Sequence, residues 1–591
     1  MIVPMKKITL LLSSRHRDSS LKTLRQLGIL HIKDINPPVS EDIQELERQL
    51  DNLRVIESQY AEIEDVKTGE LPADEIPDKM NEIISLRQQK ESLSRNLEEK
   101  QDIHQWFDRW SDISLETIKT LKDSGLYIRF YVADKSAFKK LDDDLNIHVA
   151  RVDQSTHYFA YFTRDEDDKL DLKEDPMPQI EIAELNKEIN ENELNIAEID
   201  EKINSYARYR ESFAQYQDEL NKRLMVNRVK YGMGENGEIS YLQGFCPEDK
   251  VDSVKNEADT QGWGYMVEDP EDLSEVPTLT RNPGYVKIIE PLFKFMGTLP
   301  GYDEMDVSFI FLAFFSVFYA MIIGDAGYGL IFLVGTILAG MKQKSGSRDF
   351  INLMYLLSFT TIIWGAISGT WFGSETIAQI PILNKLIIEP IYSFNIQSQE
   401  VMMQISFIIG VVHLSLAHLM VALRKIKSLQ ALGDIGWILI LWGVFFVANN
   451  LVLGKTLPGL TTPLLIAGTV LVLVFANFQK NVIKGILATL GNLPLDIISS
   501  FSDVVSYIRL FAVGFASVIV SSSFNEMAIG SGINSVVSGI IAAIILFLGH
   551  GLNIALCAMS VLVHGVRLNL LEFSGHVGVQ WTGKPYEPFK E

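Results

Sequence analysis

Ser-Tyr-Ile-Arg-Leu-Phe-Ala-Val-Gly-Phe-Ala (506–516) and Val-His-Gly-Val-Arg-Leu-Asn-Leu-Leu-Glu-Phe (563–573) each set one arginine, Arg509 or Arg567, deep in a long apolar segment. A guanidinium stays charged at any ordinary pH, so neither residue escapes burial by losing a proton. One placed near a bilayer centre costs at least about 2.5–3.5 kcal/mol, and a residue that bears such a cost is expected to be functional. Arg509 stands about twelve residues into a span that opens near 497. Arg567 lies nearer the end of its helix, where a long side chain can snorkel to the interface.

Both segments carry a polar stripe. On the first, Ser502, Ser506, Arg509 and Ser517 share roughly one helix face, with Asp496 and Asp503 toward the cytoplasmic mouth. On the second, Asn553, Cys557, Ser560, His564 and Arg567 follow at helical spacings, and Glu572 lies just beyond. Such a stripe in an apolar helix wants water or a polar partner. Serine and cysteine alone would serve as small residues at helix contacts; the arginines would not. A fixed cation cannot shuttle protons, but it holds a nearby carboxylate in its ionised form. No aspartate or glutamate of this chain stands at the depth of Arg509, so the expected carboxylate belongs to another subunit. An arginine meeting a mobile carboxylate would force ion release and block leakage between the two aqueous sides.

Outward from these helices, the 591 residues divide into two unlike halves. Up to about residue 300 the chain is charged and acidic; beyond it Ile, Leu, Val, Phe, Gly and Ala dominate. The net charge of −22 belongs mainly to the first half and argues against nucleic acid as a partner. The start, MIVPMKKITLLLSSRHRDSS, is too short in apolar residues and too charged afterwards for a signal peptide, so this half is expected to stay where it is made. Two cysteines, Cys246 and Cys557, supply neither a disulfide framework nor a metal cluster, and nothing calls for a cofactor.

In the polar half, 40–115 and 180–225 read as long helices. Ile182, Leu185, Ile189, Ile196, Ile199 and Ile203 follow a seven-residue seam in which Asn192 and Arg210 are polar exceptions. The other helix is less regular, with Leu46, Leu50, Leu53, Tyr60 and Ile63 before an interruption at Pro72 and Pro77, and Ile83 and Leu86 after it. Together they predict an antiparallel coiled-coil rod. Strand-like alternation in 116–179 predicts a distal α/β lobe, and 1–38 with 226–290 a proximal one. Residues 1–290 are thus expected to form a cytoplasmic domain without catalytic motifs, and 291–591 an α-helical polytopic membrane domain.

Eight candidate spans are 307–323, 328–341, 351–372, 401–423, 434–453, 463–479, 497–525 and 536–571, set against the roughly 20 residues a crossing needs. The first two are expected to form a hairpin at Gly-Asp-Ala-Gly-Tyr-Gly (324–329), with Asp325 a turn residue near the surface. Alternate loops hold Lys342, Lys344, Arg348, Arg424, Lys425, Lys427, Lys480 and Lys484, against only Lys385 and Lys455 opposite. The positive-inside rule places the first set, and with it both termini, in the cytoplasm. The last two spans reach about 35 residues, roughly 50 Å of helix, so they must tilt or project.

These motifs resemble those of the membrane stator subunit of V/A-type rotary ATPases, subunit I in prokaryotes and subunit a in vacuoles. Ser-Tyr-Xaa-Arg-Leu matches 506–510, His-Xaa-Xaa-Arg-Leu with a following Glu-Phe matches 564–573, 324–329 is similar to the first-hairpin motif, and the tail closes on Tyr-Glu-Pro-Phe. The resemblance implies that Arg509 faces the ion-binding carboxylate of a rotating proteolipid ring, with Arg567 alongside. It implies two offset half-channels, for which Ser506, Ser517, Asn553, Ser560, His564, Glu572, Asp496 and Asp503 are candidates. It also implies that the rod binds peripheral-stalk E/G-type subunits and the central rotor's C/d-type collar, in a prokaryotic cell membrane. Two departures stand out. Ser517 replaces a vacuolar histidine, and Cys557 a vacuolar glutamate. A stand-alone secondary transporter would instead show inverted repeats, and a coiled-coil tether would leave Arg509 unexplained. Whether H⁺ or Na⁺ moves is a property of the ring's own site.

Overall fold

In the computed structural model the described residues are all except 61–68, 111, 112, 143, 154, 344, 345, 479–481, 531, 533, 534 and 591, together with all but the side chains of 482, 483 and 488. The seam residue Ile63 and the loop residues Lys344 and Lys480 lie outside that set. The chain divides into two compact units, one of 13–23 and 34–242 and another of 1–12, 24–33 and 243–590.

In the first of these, α1 (Glu41–Tyr60) packs on α4 (Arg210–Gly232), and α2 (Ile76–Trp110) packs on α3 (Ile182–Ser205). Leu50, Leu53, Ile56, Ile83, Ile203 and Phe213 bury the shared stripe. The helix expected over 180–225 is not continuous, because Tyr206–Tyr209 tightens to a 3₁₀ turn. The break lies opposite 69–75, where the partner is not helical either, and Gly69 N–H donates to Arg208 O at 2.8 Å. The polar seam residue Asn192 finds a partner, its Nδ2 donating to Asn96 Oδ1 at 3.1 Å. Ion pairs flank the stripe at Lys90–Asp200 (2.6 Å) and Lys100–Glu188 (2.9 Å). At the far end, strands 127–134, 156–163 and 147–153 form an antiparallel sheet in that order. Phe130 on that sheet packs against Trp106 and Trp110 at the end of α2.

The second unit holds residues 31–33, 243–247, 5–12 and 264–268, in that order, in an antiparallel sheet. Its apolar helices are α5 (Ser308–Ile323), α6 (Ala326–Lys342), α7 (Asp349–Ser368), α8 (Ile396–Arg424), α9 (Ala431–Leu453), α10 (Thr461–Phe475), α11 (Val482–Ser506), α12 (Ile508–Ile529) and α13 (Val536–Ser560). Among the described residues five helices are long and apolar enough to cross a membrane: 349–368, 396–424, 431–453, 484–529 and 536–577. A sixth is counted if α5 and α6, bent 120° to each other, form one span. The last two are the longest, 46 and 42 residues.

The α5–α6 bend has a clear cause. Gly324 ends α5 in the left-handed region at φ 69°, and Asp325 caps α6. Its Oδ1 accepts from the amides of Gly327 (2.7 Å), Tyr328 (3.2 Å) and Phe372 (2.9 Å), and Oδ2 from Gly373 (2.8 Å). Asp325 is therefore a turn residue as read from the sequence, but at 1 % exposure it is not near the surface. Its burial is compatible with a polar group because four backbone donors replace water. α12 then packs on the end of α5 so closely that a Cβ on Gly514 would stand 2.2 Å from Met321 O.

Candidate functional site

The stretch around Arg509 lies at a joint in a long helix. α11, with Pro494 inside it, ends at Ser506, and α12 resumes at Ile508. Tyr507 between them is fully buried against Phe318 and His413. α13 opens with a Ser535–Ser538 capping box and ends at Ser560. The chain stays helical beyond it, but Val561–Gly565 and Leu568–Phe573 are π-helical turns. Such wider turns displace side chains from α-helical register and are frequent at functional sites.

That displacement brings Glu572 to Arg509. Arg509 Nη2 donates to Glu572 Oε1 at 2.5 Å, and its Nε donates to Ser506 O at 2.9 Å. Ser506 Oγ lies 3.3 Å from the same Oε1, and Arg567 Nε 3.6 Å. The carboxylate side chain is 5 % exposed, Arg509 21 % and Arg567 55 %. The expectation that no carboxylate of this chain reaches Arg509 is thus corrected. Counting from span ends placed Glu572 beyond its helix, whereas the helical run continues to 577 and carries it inward.

On one side of this cluster is an open cavity of about 480 Å³, lined by Asp496, Asp503, His418, His576, Arg567 and Glu572 among others. His576 Nε2 lies 3.2 Å from Asp503 Oδ2, and its Nδ1 2.9 Å from His418 Nε2. His418 Nδ1 in turn lies 3.5 Å from Asp434 Oδ1. On the other side is a buried network. Asn553 Nδ2 donates to Ser517 O at 2.9 Å and Tyr328 OH at 3.1 Å, and Cys557 Sγ lies 3.1 Å from Ser517 Oγ. Tyr328 OH meets His550 Nδ1 at 2.7 Å, and His550 Nε2 meets Asn525 Oδ1 at 3.1 Å.

Arg509, Arg567, Ser506 and Glu572 are therefore brought together. Asp496 and Asp503 line the cavity beside them, and Ser517 and Asn553 sit in the separate network. Ser560 and His564 are half-buried and belong to neither group. Sequence reasoning missed His418, His576, Tyr328, His550 and Asn525. Histidines inside apolar helices were a readable signal: His550, three residues before Asn553, extends the stripe of the last span, while Tyr328 and His418 stand on α6 and α8.

No family model matches the chain. It is 34 % identical over 624 aligned residues to the V-type ATP synthase subunit I of Borreliella burgdorferi, covering all of both chains. It is 30 % identical over 630 to V-type ATP synthase subunit I 1 of Treponema pallidum, again across all of both. The A-type ATP synthase subunit I of Methanocaldococcus jannaschii is 26 % identical over 400 residues, 60 % of this chain and 56 % of that one.

Proposed function

The chain belongs to the V/A-type ATP synthase subunit I family, and from that premise we propose that it is the non-catalytic stator against which a proteolipid ring turns. Arg509 faces the ring's ion-binding carboxylate, with Arg567 alongside. The observation that carries this reading is a largely buried, permanently charged arginine with a polar group of side chains on each side of it. The cavity with Asp496 and Asp503 serves as the cytoplasmic half-channel, extended by His418 and His576. The network of Ser517, Asn553, Tyr328, His550 and Asn525 lines the opposite one. Offset half-channels oblige an ion to ride the ring between them, which couples transport to ATP synthesis or hydrolysis.

The ring's seat is the exposed face of α13 and its continuation. Phe547, Leu552, Leu556, Met559, Val563 and Leu571 stand out there, and Arg567 shares the face. A cation among these apolar residues suits a partner that brings carboxylates rather than lipid tails alone. Ser560 and His564 lie beside that seat. Residues 291–591 form the membrane domain. Eight crossings follow if α5, α6 and α10 each traverse the bilayer, which puts the Arg424–Lys427 loop and both termini on the cytoplasmic side of the cell membrane. Residues 1–290 then carry the links to peripheral-stalk and collar subunits that the family resemblance implies.

The test is ATP-driven ion uptake by membrane vesicles holding an Arg509→Gln complex, read with H⁺- and Na⁺-sensitive dyes. Uptake should vanish while assembly and ATPase subunits remain. Near-normal uptake in an assembled complex would remove Arg509 from the ion path.

A further inference from the structure

Arg509 has a carboxylate within its own chain, and the charges around it do not balance. Two guanidiniums, Arg509 and Arg567, share a single oxygen of a single carboxylate, Glu572 Oε1. The trio holds a net charge of +1, the sum of two cations and one anion. Glu572 Oε2 is buried with no hydrogen-bond partner among the described residues, so the carboxylate is held through one oxygen and its other side is free to accept.

We infer that Glu572 is the resting counter-ion of Arg509, and that the arginine is handed between Glu572 and the incoming ring carboxylate rather than left bare. This rests on the stator reading above. A largely buried cation stripped of its partner is strongly destabilised, so an arginine that let go of one ring site before the next arrived would face a steep barrier. Glu572 removes that interval. When Arg509 swings to the ring, Arg567 remains beside Glu572 as its partner, which gives the second arginine a task distinct from the first. When the ring carboxylate is present the four charges sum to zero. The surplus of one positive charge within the trio then leaves room for one further carboxylate in direct contact with the arginines, Asp496 and Asp503 lining the cavity beside it. No bond forms or breaks in the exchange, and Glu572 acts as a positioning residue through Arg509. The π-helical turn Leu568–Phe573 that carries Glu572 suits the exchange, since its wider backbone leaves the side chain room to yield.

Charge arithmetic supplies a test that packing alone would fail. In the complete complex in vesicles, Glu572→Gln raises the trio to +2, over-binds the ring carboxylate and slows ATP-driven uptake by about tenfold or more. Arg567→Gln lowers the trio to zero, pins Arg509 to Glu572 and slows it comparably. Combining the two restores +1, and the double variant should run faster than either single one. Glu572→Asp keeps the charge and most of the rate. Wild-type uptake in Glu572→Gln, or a double variant slowed by the product of its singles, overturns the inference. Assembly is read by the same logic. If Glu572→Gln fails to assemble, a double variant that does supports the charge count, and one that fails alongside it overturns it. Arg509→Gln separates the two levels: retained uptake there sinks the stator reading itself, while lost uptake with no recovery in the double variant sinks only the counter-ion role.

Discussion

Single residues in this chain are placed by where their polar atoms find partners. Asp325 is the clearest case, one carboxylate serving four backbone amides in the bend between α5 and α6. Asp325→Ala should orphan all four and cost about 3–5 kcal/mol, in the range for unpartnered buried polar groups and broken charged contacts. Asp325→Asn keeps an acceptor oxygen and should recover part of the loss, as read by thermal melting of the detergent-solubilised protein; equal melting of the two variants would discount the cap. The cysteines make the opposite point. Both are free and buried, and burial pushes the Cys246 thiol up to about 12, so little thiolate exists near neutrality. A maleimide should label neither cysteine at pH 7.5 until the protein is denatured; rapid native labelling would contradict that burial. At this scale the sequence was informative about cost and less so about contact. Arg509 announced itself because a guanidinium in an apolar run is expensive. Its partner did not, because the π-helical turns that bring Glu572 inward leave no mark in apolar periodicity.

Helices show where periodicity suffices. The seven-residue seam around Ile189, Ile196 and Ile203 pointed to one inward stripe on α3; Ile203 is buried, Ile189 and Ile196 are half-buried, and α3 packs on α2. Its break at Tyr206–Tyr209 was not legible, because it answers an interruption in the partner rather than anything in its own residues. Charged rungs beside the seam should tune this pairing with pH. Glu82 accepts from Lys202 and from Lys79, each at 2.8 Å, and these hydrogen bonds, with Tyr206, lower its carboxyl to about 2. A carboxyl lowered on folding contributes stability that is fully present above its unfolded value near 4.5. That contribution is lost as pH falls from there through about 2. The native chain should therefore melt above Glu82→Gln at pH 7, and the gap should shrink below about pH 4.5 and close as pH falls through about 2; a gap that persists unchanged in acid would discount the pairs. In the apolar half the sequence read eight spans from length and hydropathy. The short α10 and the bent α5–α6 pair are where those criteria cease to discriminate, since a buried apolar helix and a crossing one look alike below about 18 residues.

At the scale of the whole second unit, the C-terminal tail joins the last apolar helix to the α/β sheet. Gly583 N–H donates to Leu299 O at 3.0 Å, Thr278 N–H to Lys584 O at 2.7 Å, and Phe589 N–H to Leu30 O at 2.8 Å. Gln580 N–H reaches Glu304 Oε1 at 2.7 Å, and Tyr586 OH donates to Ile29 O. The sequence supplied the Tyr-Glu-Pro-Phe close as a point of family resemblance, but no local pattern says that these residues cross hundreds of positions to pair with residues 29–31. Such pairing is non-local and is decided by tertiary packing. Under the proposed stator reading the arrangement has a consequence. A helix pushed sideways by a turning ring passes its load through whatever ties its end, and here that tie ends on one buried ring, Phe589 at 3 % exposure. Phe589→Ala should lose about 3–5 kcal/mol of local packing. Because cleavage of a paired segment needs local opening, chymotrypsin should then cut after Tyr586 far faster than in the native protein, while the apolar helices stay resistant. In the assembled complex the same variant should let ATP hydrolysis run with reduced ion uptake, since a stator whose tie yields cannot hold the ring seat in place. Unchanged cleavage at Tyr586, with uptake still matched to hydrolysis, would show that the load leaves this unit by another route.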